Sequence, residues 1–368
     1  MIPYGDYPDF ARIQRALVIK LRHHGDVLLT TPVFSALKRA LPQASIDAYI
    51  YRDTLPMLEG HPAIESYLLY DRAWKSLSLP ARIASELRLL NRIRQAGYDL
   101  VINLTEGDRG AIAAWASGAR YRLGWDPQSQ GLALKGGIYT HIVKRPKLPR
   151  HMVEQNLDAV RRMGIFPSPE ERELHFHIPE AATAVVARHL KQAGIRPGGF
   201  VLIHPSSRWQ FKCWPVERVA ELARTLHARG HAVAFSAAPD PRELAMLDQI
   251  LSLCPGLPLL NLGGKLTLKE LGALIAASRC LVCVDSVPLH LASALKTPAV
   301  GLFGPSSDAA WGPWNNPGGR VVAQPVSCRP CNLDGCGGGK VADCLATLPL
   351  ATVLENVVHL LDAHNEPG

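Results

Sequence analysis

The stretch Cys280–Ser307, CLVCVDSVPLHLASALKTPAVGLFGPSS, decides the fold class of this chain. Cys280–Val284 is a short apolar run, Pro288–Lys296 has helical spacing, and Pro298–Phe303 is apolar again. Short apolar runs on either side of a helical segment indicate a strand, a helix and a second strand. The stretch therefore predicts one crossover unit of a parallel α/β sheet.

Polar residues between the first strand and the helix predict an anion site. Loops at the carboxyl ends of parallel strands border the ligand crevice, and a helix N-terminus in that place attracts phosphate. Pro288 suits the first helical turn, where a missing N–H costs nothing. The alternative is an ordinary crossover in which Asp285 or Ser286 only caps the helix. Spacing alone leaves both interpretations open.

The rest of the chain repeats this alternation of strands and helices. Predicted strands are 16–21, 46–51, 67–70, 100–104, 200–204, 232–236 and 258–262; predicted helices are 27–41, 81–96, 111–116, 153–163, 181–193, 216–229, 242–253, 268–277 and 350–363. Strands separated by helices predict parallel pairing. A polar, proline-containing stretch from 167 to 179 predicts two domains, 1–178 and 179–368, with a crevice between them.

Length and charge limit the class of protein. A chain of 368 residues exceeds the size at which single cores stop growing, so two domains are expected. The net charge of +8 favours anionic partners: nucleic acid, phosphorylated glycolipid or a membrane face. We find neither a signal-peptide pattern nor an apolar run long enough to span a bilayer. The expected location is therefore the cytoplasm, with peripheral membrane contact at most.

Several function classes lack their sequence patterns. There is no G-x-G-x-x-G, and neither Gly-Gly-Lys stretch is followed by Ser or Thr as a P-loop requires, so dinucleotide binding and ATP hydrolysis are not expected. Aromatic residues make up 7% of the chain and form no recognisable RNA-binding motif. A basic, zinc-containing nucleic-acid-binding protein is a distant alternative, and no nucleic-acid partner is predicted.

The eight cysteines fall into two groups. Four are scattered among periodic segments and are interpreted as packing residues: Cys213, Cys254, Cys280 and Cys283. The others cluster in a glycine-rich segment as Cys328, Cys331, Cys336 and Cys344. Four thiols suffice for tetrahedral zinc, but the strong form of that pattern has two C-x-x-C pairs and this segment has one. The sequence therefore leaves open whether this segment is a structural zinc site or a metal-free loop.

Three segments resemble one family. VDSVPLHLASALKTPAVGLFGPSS (284–307), FKCWP (211–215) and KLRHHGDVLLTTP (20–32) are similar to the ADP-heptose:lipopolysaccharide heptosyltransferases of glycosyltransferase family nine. Val287 stands where that family usually has Gly or Ala. The resemblance implies GT-B architecture, in which two Rossmann-like doubly wound domains face each other across a cleft. It also implies that the final helix packs back on the first domain.

The resemblance assigns roles to individual residues. Asp26 corresponds to the catalytic base; the alternative is a helix N-cap. Lys212 corresponds to the lysine that holds the donor diphosphate; the alternative is an exposed lysine in a turn. Implied donor-binding residues are Ser206, Ser207, Lys212, Glu243, Leu266, Thr267, Asp285, Ser286, Pro288, Leu289 and His290. For His290, a core histidine is the plainer interpretation.

The acceptor side is predicted from basic residues. The segment THIVKRPKLPRH (140–151) is predicted to be a loop, because prolines and polar residues dominate it. Its cations, with two histidines next to Asp26, are candidates for an acidic acceptor or lipid head groups: His23, His24, Lys144, Arg145, Lys147 and Arg150. The alternative is a solvated basic loop.

The reaction that the resemblance implies is an inverting transfer of heptose from ADP-heptose. Segments such as IKLRHHGDVLLTTPV, DLVINLT and FKCWP look nearer to the type III branch, which adds the branching heptose to the lipopolysaccharide inner core. Types I and II, or a GT-B nucleotide-sugar epimerase, are alternatives. The sequence contains no D-x-D pair, which agrees with metal-independent transfer without a required cofactor. The inner-core precursor and the inner membrane surface are the expected partners.

Overall fold

The computed structural model describes residues 7–128, 131 and 135–363. The chain divides into two compact units, Met1–Phe176 and His177–Gly368. Within the described ranges, no helix combines the length and the apolar character needed to cross a bilayer. Each unit is an α/β unit with its own parallel sheet.

The first unit has six parallel strands in the order β3-β2-β1-β4-β5-β6. The strands are β1 (Arg15–Lys20), β2 (Ser45–Tyr51), β3 (Ser66–Tyr70), β4 (Leu100–Asn103), β5 (Tyr121–Trp125) and β6 (His141–Val143). The helices are α1 (His24–Leu28), α2 (Thr31–Ala40), α3 (Leu79–Gln95), α4 (Asp108–Ser117), α5 (Lys135–Ile138) and α6 (Met152–Arg161). Short 3-10 turns lie at Phe10–Arg12, Arg52–Met57, Arg72–Ser76 and Glu170–Arg172.

The second unit repeats this arrangement in the order β12-β11-β10-β7-β8-β9. The strands are β7 (Phe200–His204), β8 (Ala232–Phe235), β9 (Leu260–Asn261), β10 (Cys280–Val284), β11 (Ala299–Leu302) and β12 (Gly319–Val322). The helices are α7 (Glu180–Gln192), α8 (Val216–Ala228), α9 (Pro241–Ser252), α10 (Leu268–Ala277), α11 (Val287–Leu295), α12 (Asp308–Trp311), α13 (Asp343–Ala346) and α14 (Leu350–Ala363). Short 3-10 turns lie at Gln210–Lys212 and Cys336–Gly338.

Both sheets reverse their strand order at one point, which decides where each unit can bind a ligand. The reversal lies between β1 and β4 in the first unit and between β7 and β10 in the second. Crossovers leave these strand pairs in opposite directions, so a crevice opens at their carboxyl ends. β7 and β10 are buried along their whole length, as expected for central strands covered by helices on both faces.

The terminal helix α14 belongs to the second sheet. It packs against β10, β11, β12 and α8, and its buried face consists of Val353, Val357, Leu360 and Leu361. The indole N–H of Trp214, a fully buried side chain, donates to the carbonyl of Leu348 just before this helix. The apolar face of this helix is therefore used by the second unit, and the expectation that the helix packs on the first domain stays a prediction.

The predicted helix 27–41 is two helices, α1 and α2. Pro32 has no N–H to donate to the carbonyl of Leu28, and the hydroxyl of Thr31 donates to that carbonyl instead, at 2.9 Å. The hydroxyl of Thr30 donates to the carbonyl of Val27 at 2.6 Å. The Thr31 hydroxyl thus satisfies the Leu28 carbonyl, whereas the Val27 carbonyl also accepts from the N–H of Thr30 at 3.0 Å.

Three short strands were not predicted. β5 and β12 lie at or near sheet edges, where neither a long apolar run nor clear alternation is required. β6 occupies His141–Val143, so the prediction of a loop throughout 140–151 is wrong for these residues. The cations that follow β6, from Lys144 onward, lie in irregular structure as expected.

Candidate functional site

An ion pair joins the two central loops of the second unit. The Nζ of Lys212 donates to the Oδ2 of Asp285 at 2.6 Å. Lys212 ends the 3-10 turn after β7, and Asp285 directly follows β10, so the pair lies at the reversal of strand order. The side chains are 22% and 7% exposed. Lys212 is therefore no solvated turn lysine; an ammonium in this place can compensate a diphosphate.

The junction between β10 and α11 does not use its polar side chains as caps. Ser286 is the N-cap residue, but its hydroxyl donates backwards to the carbonyl of Val284 at 3.2 Å. Pro288 lies in the first turn, as predicted. The N–H of Leu289 donates to the carbonyl of Ser286 at 3.1 Å, so this amide already has an acceptor. What remains for an anion is the positive end of a nine-residue helix beside the Lys212–Asp285 pair.

A second group of polar residues surrounds Glu243. The hydroxyl of Ser206, which is buried, donates to the Oε2 of Glu243 at 2.6 Å, and the N–H of Ala238 donates to the same oxygen at 3.3 Å. The Nε2 of His204 lies 4.0 Å from this oxygen, and burial lowers the pKa of His204 to about 4. Near neutral pH the imidazole is therefore uncharged. Ser206 consequently orients Glu243 here, whereas the buried hydroxyl of Ser207 accepts from the N–H of Trp209 at 3.3 Å.

A cavity of about 480 Å³ adjoins these residues within the second unit. Its walls include Ser207 and Glu243, and also Arg242 and Lys340, which sequence reasoning missed. The volume falls in the range of small-molecule sites. Arg242 follows the N-cap Asp240 of α9, and Lys340 comes from the cysteine-containing segment. In the sequence, Arg242 could have been suggested as a site residue only because it directly precedes Glu243, and nothing pointed to Lys340.

Two predicted donor residues have structural roles in the fold. The hydroxyl of Thr267, which follows Leu266, accepts from the N–H of Glu270, whose carboxylate accepts from the N–H of Thr267; together they form the capping box of α10. His290 is buried in α11, with its ring 6.3 Å from that of Trp311. These contacts agree with the plainer interpretation of His290 as a core histidine.

In the first unit, Asp26 lies in the first turn of α1 at the carboxyl end of β1. The N-cap residue of this helix is His23, so the interpretation of Asp26 as the cap is wrong. The Asp26 side chain is 13% exposed, and its Oδ1 lies 3.9 Å from the Nε of Arg22. The ring of His24 is bonded through Nε2 to the carbonyl of Asp53 at 2.9 Å.

A buried lysine beside Asp26 was not anticipated. The Nζ of Lys20, the last residue of β1, donates to the carbonyl of Leu104 and to the Oδ1 of Asn156, each at 3.2 Å. Burial lowers the pKa of Lys20 from 10.5 to about 8, against the opposing attraction of Asp26 and Glu106. Its sequence signal was a charged residue at the end of an apolar strand.

The predicted acceptor cations differ in their surroundings. Arg145 is paired with Glu106 at 2.7 Å, and Arg150 is paired with Asp158 at 2.9 Å. Lys144 and Lys147 are exposed. An acidic ligand would have to displace carboxylates from the two arginines, whereas the two lysines have no carboxylate partner among the residues that the structure describes.

A further pocket of the first unit was not predicted. It measures about 330 Å³ and is lined by residues of β2, β3, α3 and α4, among them Tyr49, Tyr70, Glu86 and Arg109. The Arg109 guanidinium lies 4.1 Å from the centre of the Tyr70 ring and 3.4 Å from the Glu86 carboxylate. Burial acts to raise the pKa of Glu86, but the hydroxyl of Tyr70 and the guanidiniums of Arg109 and Arg82 outweigh it and lower the pKa. Aromatic faces with a fixed ion pair suit a polar, ring-shaped ligand.

The four clustered cysteines lie in the segment 328–344 of the second unit. Within the part of the chain that the structure describes, which includes all four, no three His, Cys, Asp or Glu side chains are grouped to hold an ion. Cys328 and Cys336 are exposed, whereas Cys344 is buried. The zinc alternative is therefore not supported. The segment instead contacts a donor-side loop: the Nε of Arg329 donates to the carbonyl of Gly304 at 2.7 Å.

Comparison with known proteins identifies the family. The model of glycosyltransferase family 9 (heptosyltransferase) matches residues 86–341, which is more than half of the chain. The chain belongs to glycosyltransferase family 9. It is therefore a glycosyltransferase, as predicted, and nothing favours the nucleic-acid-binding or epimerase alternatives.

Individual members of the family are similar to this chain in sequence and in fold. The chain is 36% identical over 296 residues to lipopolysaccharide heptosyltransferase 3 of Escherichia coli, covering 80% of this chain and 85% of that protein. The solved family 9 glycosyltransferase of Veillonella parvula is similar at 23% identity with a TM-score of 0.80, covering 95% and 97% of the two chains. An E. coli heptosyltransferase solved with ADP-2-deoxy-2-fluoro heptose has 20% identity and a TM-score of 0.68, covering 96% and 100%. The predicted GT-B fold class is confirmed.

Proposed function

We propose that this chain is a type III heptosyltransferase, which transfers L-glycero-D-manno-heptose from ADP-heptose to a heptose of the lipopolysaccharide inner core. The observation that carries this proposal is the 36% identity to E. coli lipopolysaccharide heptosyltransferase 3 across 80% of the chain. The named type I relatives are more distant, at 24–25% identity.

The second unit supplies the donor site in this proposal. A related enzyme has been solved with an ADP-heptose analogue, which supports ADP-heptose as the donor class. Charge accumulates on the diphosphate as the glycosidic bond breaks, and Lys212 with the N-terminus of α11 compensates it. The phosphates compete with Asp285 for the ammonium, and Asp285 becomes available to heptose hydroxyls. Glu243, held by Ser206, is oriented to accept from ribose hydroxyls.

The first unit supplies the base. Asp26 takes the proton of the acceptor hydroxyl while that oxygen attacks the anomeric carbon. The new C–O bond forms on the face opposite to the breaking bond, ADP departs with the bonding electron pair, and the configuration inverts. No step in this scheme requires a metal ion.

The acceptor is proposed to be the membrane-borne inner-core precursor. Lys144, Lys147, Arg145 and Arg150 supply cations for its phosphate groups, the first two without displacing a carboxylate partner that the structure describes. His23 and His24 lie at the start of α1, just before Asp26, and would contact the sugar. This acceptor brings the enzyme to the cytoplasmic face of the inner membrane as a peripheral protein.

The test is transfer with defined acceptors. The purified chain is incubated with ADP-heptose and inner-core oligosaccharides that lack the first, second or third heptose. The masses of the products are measured by mass spectrometry. We expect one added heptose on the acceptor that lacks only the third. Addition to another acceptor would reassign the type, and conversion of ADP-heptose without any acceptor would indicate an epimerase.

A further inference from the structure

Helix α3 carries an apolar stripe that its own unit does not bury. Leu79, Ile83 and Leu87 recur every four residues, and Leu79 and Leu87 are 68% and 58% exposed. The core contact of the same helix is made by another set: Ser85, Leu89 and Ile93. A helix packed on a single core needs one apolar face. The second stripe therefore requires a separate explanation.

Helix α4 extends this apolar surface. It packs beside α3 and exposes Ile112 and Trp115, the latter at 67%. The guanidinium of Arg94, near the end of α3, donates to the carbonyl of Ser117 at the end of α4. We call the surface formed by Leu79, Ile83, Leu87, Ile112 and Trp115 the α3–α4 face. Several exposed apolar side chains on two packed helices indicate an interaction site, whereas a single exposed residue does not.

The surroundings of the α3–α4 face are strongly basic. Residues 72–94 contain six cations, Arg72, Lys75, Arg82, Arg88, Arg92 and Arg94, and a single acid, Glu86. That acid already accepts from Tyr70 and pairs with Arg82 and Arg109. Lys75, Arg88, Arg92 and Arg94 are exposed. Arg94 lies on the same side of α3 as the stripe, whereas Arg88 and Arg92 lie more than a quarter turn around the helix from each of its residues. Arg94, with Lys75 just before the helix, supplies the cations that accompany the stripe.

We propose that the α3–α4 face docks on an anionic lipid bilayer surface. Apolar side chains that enter the acyl boundary, with Lys and Arg beside them at the head groups, are the two components of interfacial membrane binding. A second copy of this chain fits less well, because a two-fold interface would bring each basic cluster against its own copy. The inference deepens the proposed function, since its acceptor is a membrane glycolipid.

The position of the face supports this role. Glu86, Leu90 and Ile112 belong to the α3–α4 region and also line the 330 Å³ pocket together with Tyr70 and Arg109. Tyr70 ends β3, and Arg109 lies in the first turn of α4 after β4, so the pocket opens near the carboxyl edge of the first sheet. A bilayer on the α3–α4 face would therefore hold a glycolipid head group beside the edge that carries Asp26.

Vesicle flotation of the full chain tests the proposal. Vesicles of phosphatidylcholine alone are compared with vesicles that also contain phosphatidylglycerol. We expect flotation with the anionic vesicles, lost on adding salt. The double variant Ile83→Ser/Leu87→Ser should bind at least tenfold more weakly, because each inserted side chain contributes about a tenfold factor. Lys75→Gln/Arg94→Gln should lose the preference for anionic lipid.

Controls separate this inference from loss of folding and from the proposed function. Phe166→Ser removes a side chain of the same unit that is 66% exposed but lies outside the face, and should float like the wild type. All variants should transfer heptose to a soluble oligosaccharide acceptor at the wild-type rate. Wild-type protein that transfers but does not float overturns the membrane proposal alone. A wild-type dimer that the Ile83/Leu87 variant converts to a monomer would overturn it in favour of self-association.

Discussion

Replacement of Lys20 by methionine should change the pH dependence of stability. The folded-state pKa of Lys20 is about 8 against 10.5 for a free lysine, and a difference of about 2.5 corresponds to about 3 kcal/mol. Below about pH 8 both folded and unfolded chains carry this ammonium, and its burial destabilises the folded chain in full. Between about 8 and 10.5 the unfolded chain binds more protons, so stability from this group rises with pH.

Methionine removes this dependence and has a similar length. Methionine cannot donate, so the Leu104 carbonyl and the Asn156 amide oxygen lose the Lys20 ammonium as their donor. Each lost hydrogen bond costs about 1 to 3 kcal/mol of folding stability. That cost does not vary with pH. The robust quantity is therefore the difference in pH response: relative to the variant, the wild type should gain about 2.5 kcal/mol between about pH 7 and pH 10.

Urea unfolding of both proteins at the two pH values measures this quantity. Lys75→Met, which removes an exposed lysine of the same unit, corrects for the change in net charge. The expected result is that the stability difference between wild type and Lys20→Met moves in favour of the wild type as the pH rises. Parallel pH profiles for the two proteins would refute the assignment of Lys20 as a buried cation.

Three further predictions concern the reaction. Lys212→Met should lower kcat by about 100-fold or more, because it removes a charge that stabilises the departing diphosphate. It should also lower the thermal stability, because the Asp285 carboxylate is left unpaired. Adding Asp285→Asn removes that carboxylate and should restore thermal stability but not activity. Asp26→Asn should reduce transfer by about 100- to 10,000-fold without weakening ADP binding, measured by calorimetry; full activity would exclude Asp26 as the base. The transfer rate should be unchanged after EDTA treatment and dialysis. A loss of activity that added Mg²⁺ restores would contradict metal-independent chemistry.

Local sequence was a reliable guide wherever one residue pattern determined one element. The strand, turn and helix of 280–295 lie where spacing predicted them, because the apolar runs and Pro288 act within a few residues. The divided first helix shows the limit: Pro32 was visible, but the threonine hydroxyls that make the break tolerable were not recognised as its partners.

The candidate site was predictable as residue types and not as geometry. The ion pair of Lys212 with Asp285 spans 73 positions and exists only because β7 and β10 are neighbours in the sheet. Lys20 was visible in the sequence as a charged residue at the end of an apolar strand. Its lowered pKa, however, depends on burial, which no local pattern reports. For the cysteine cluster the sequence left a zinc site and a metal-free loop open, because close spacing in sequence does not determine whether the thiols share a coordination centre.

The use of α14 by the second sheet has a consequence for biosynthesis. The first unit has all of its strands and helices once residue 176 has been made, but β10–β12 remain open on one side until residues 350–363 exist. At ribosomal speed that interval is roughly ten to forty seconds. During translation the first unit can fold early, while the apolar side of β10–β12 stays uncovered until the last helix has been made.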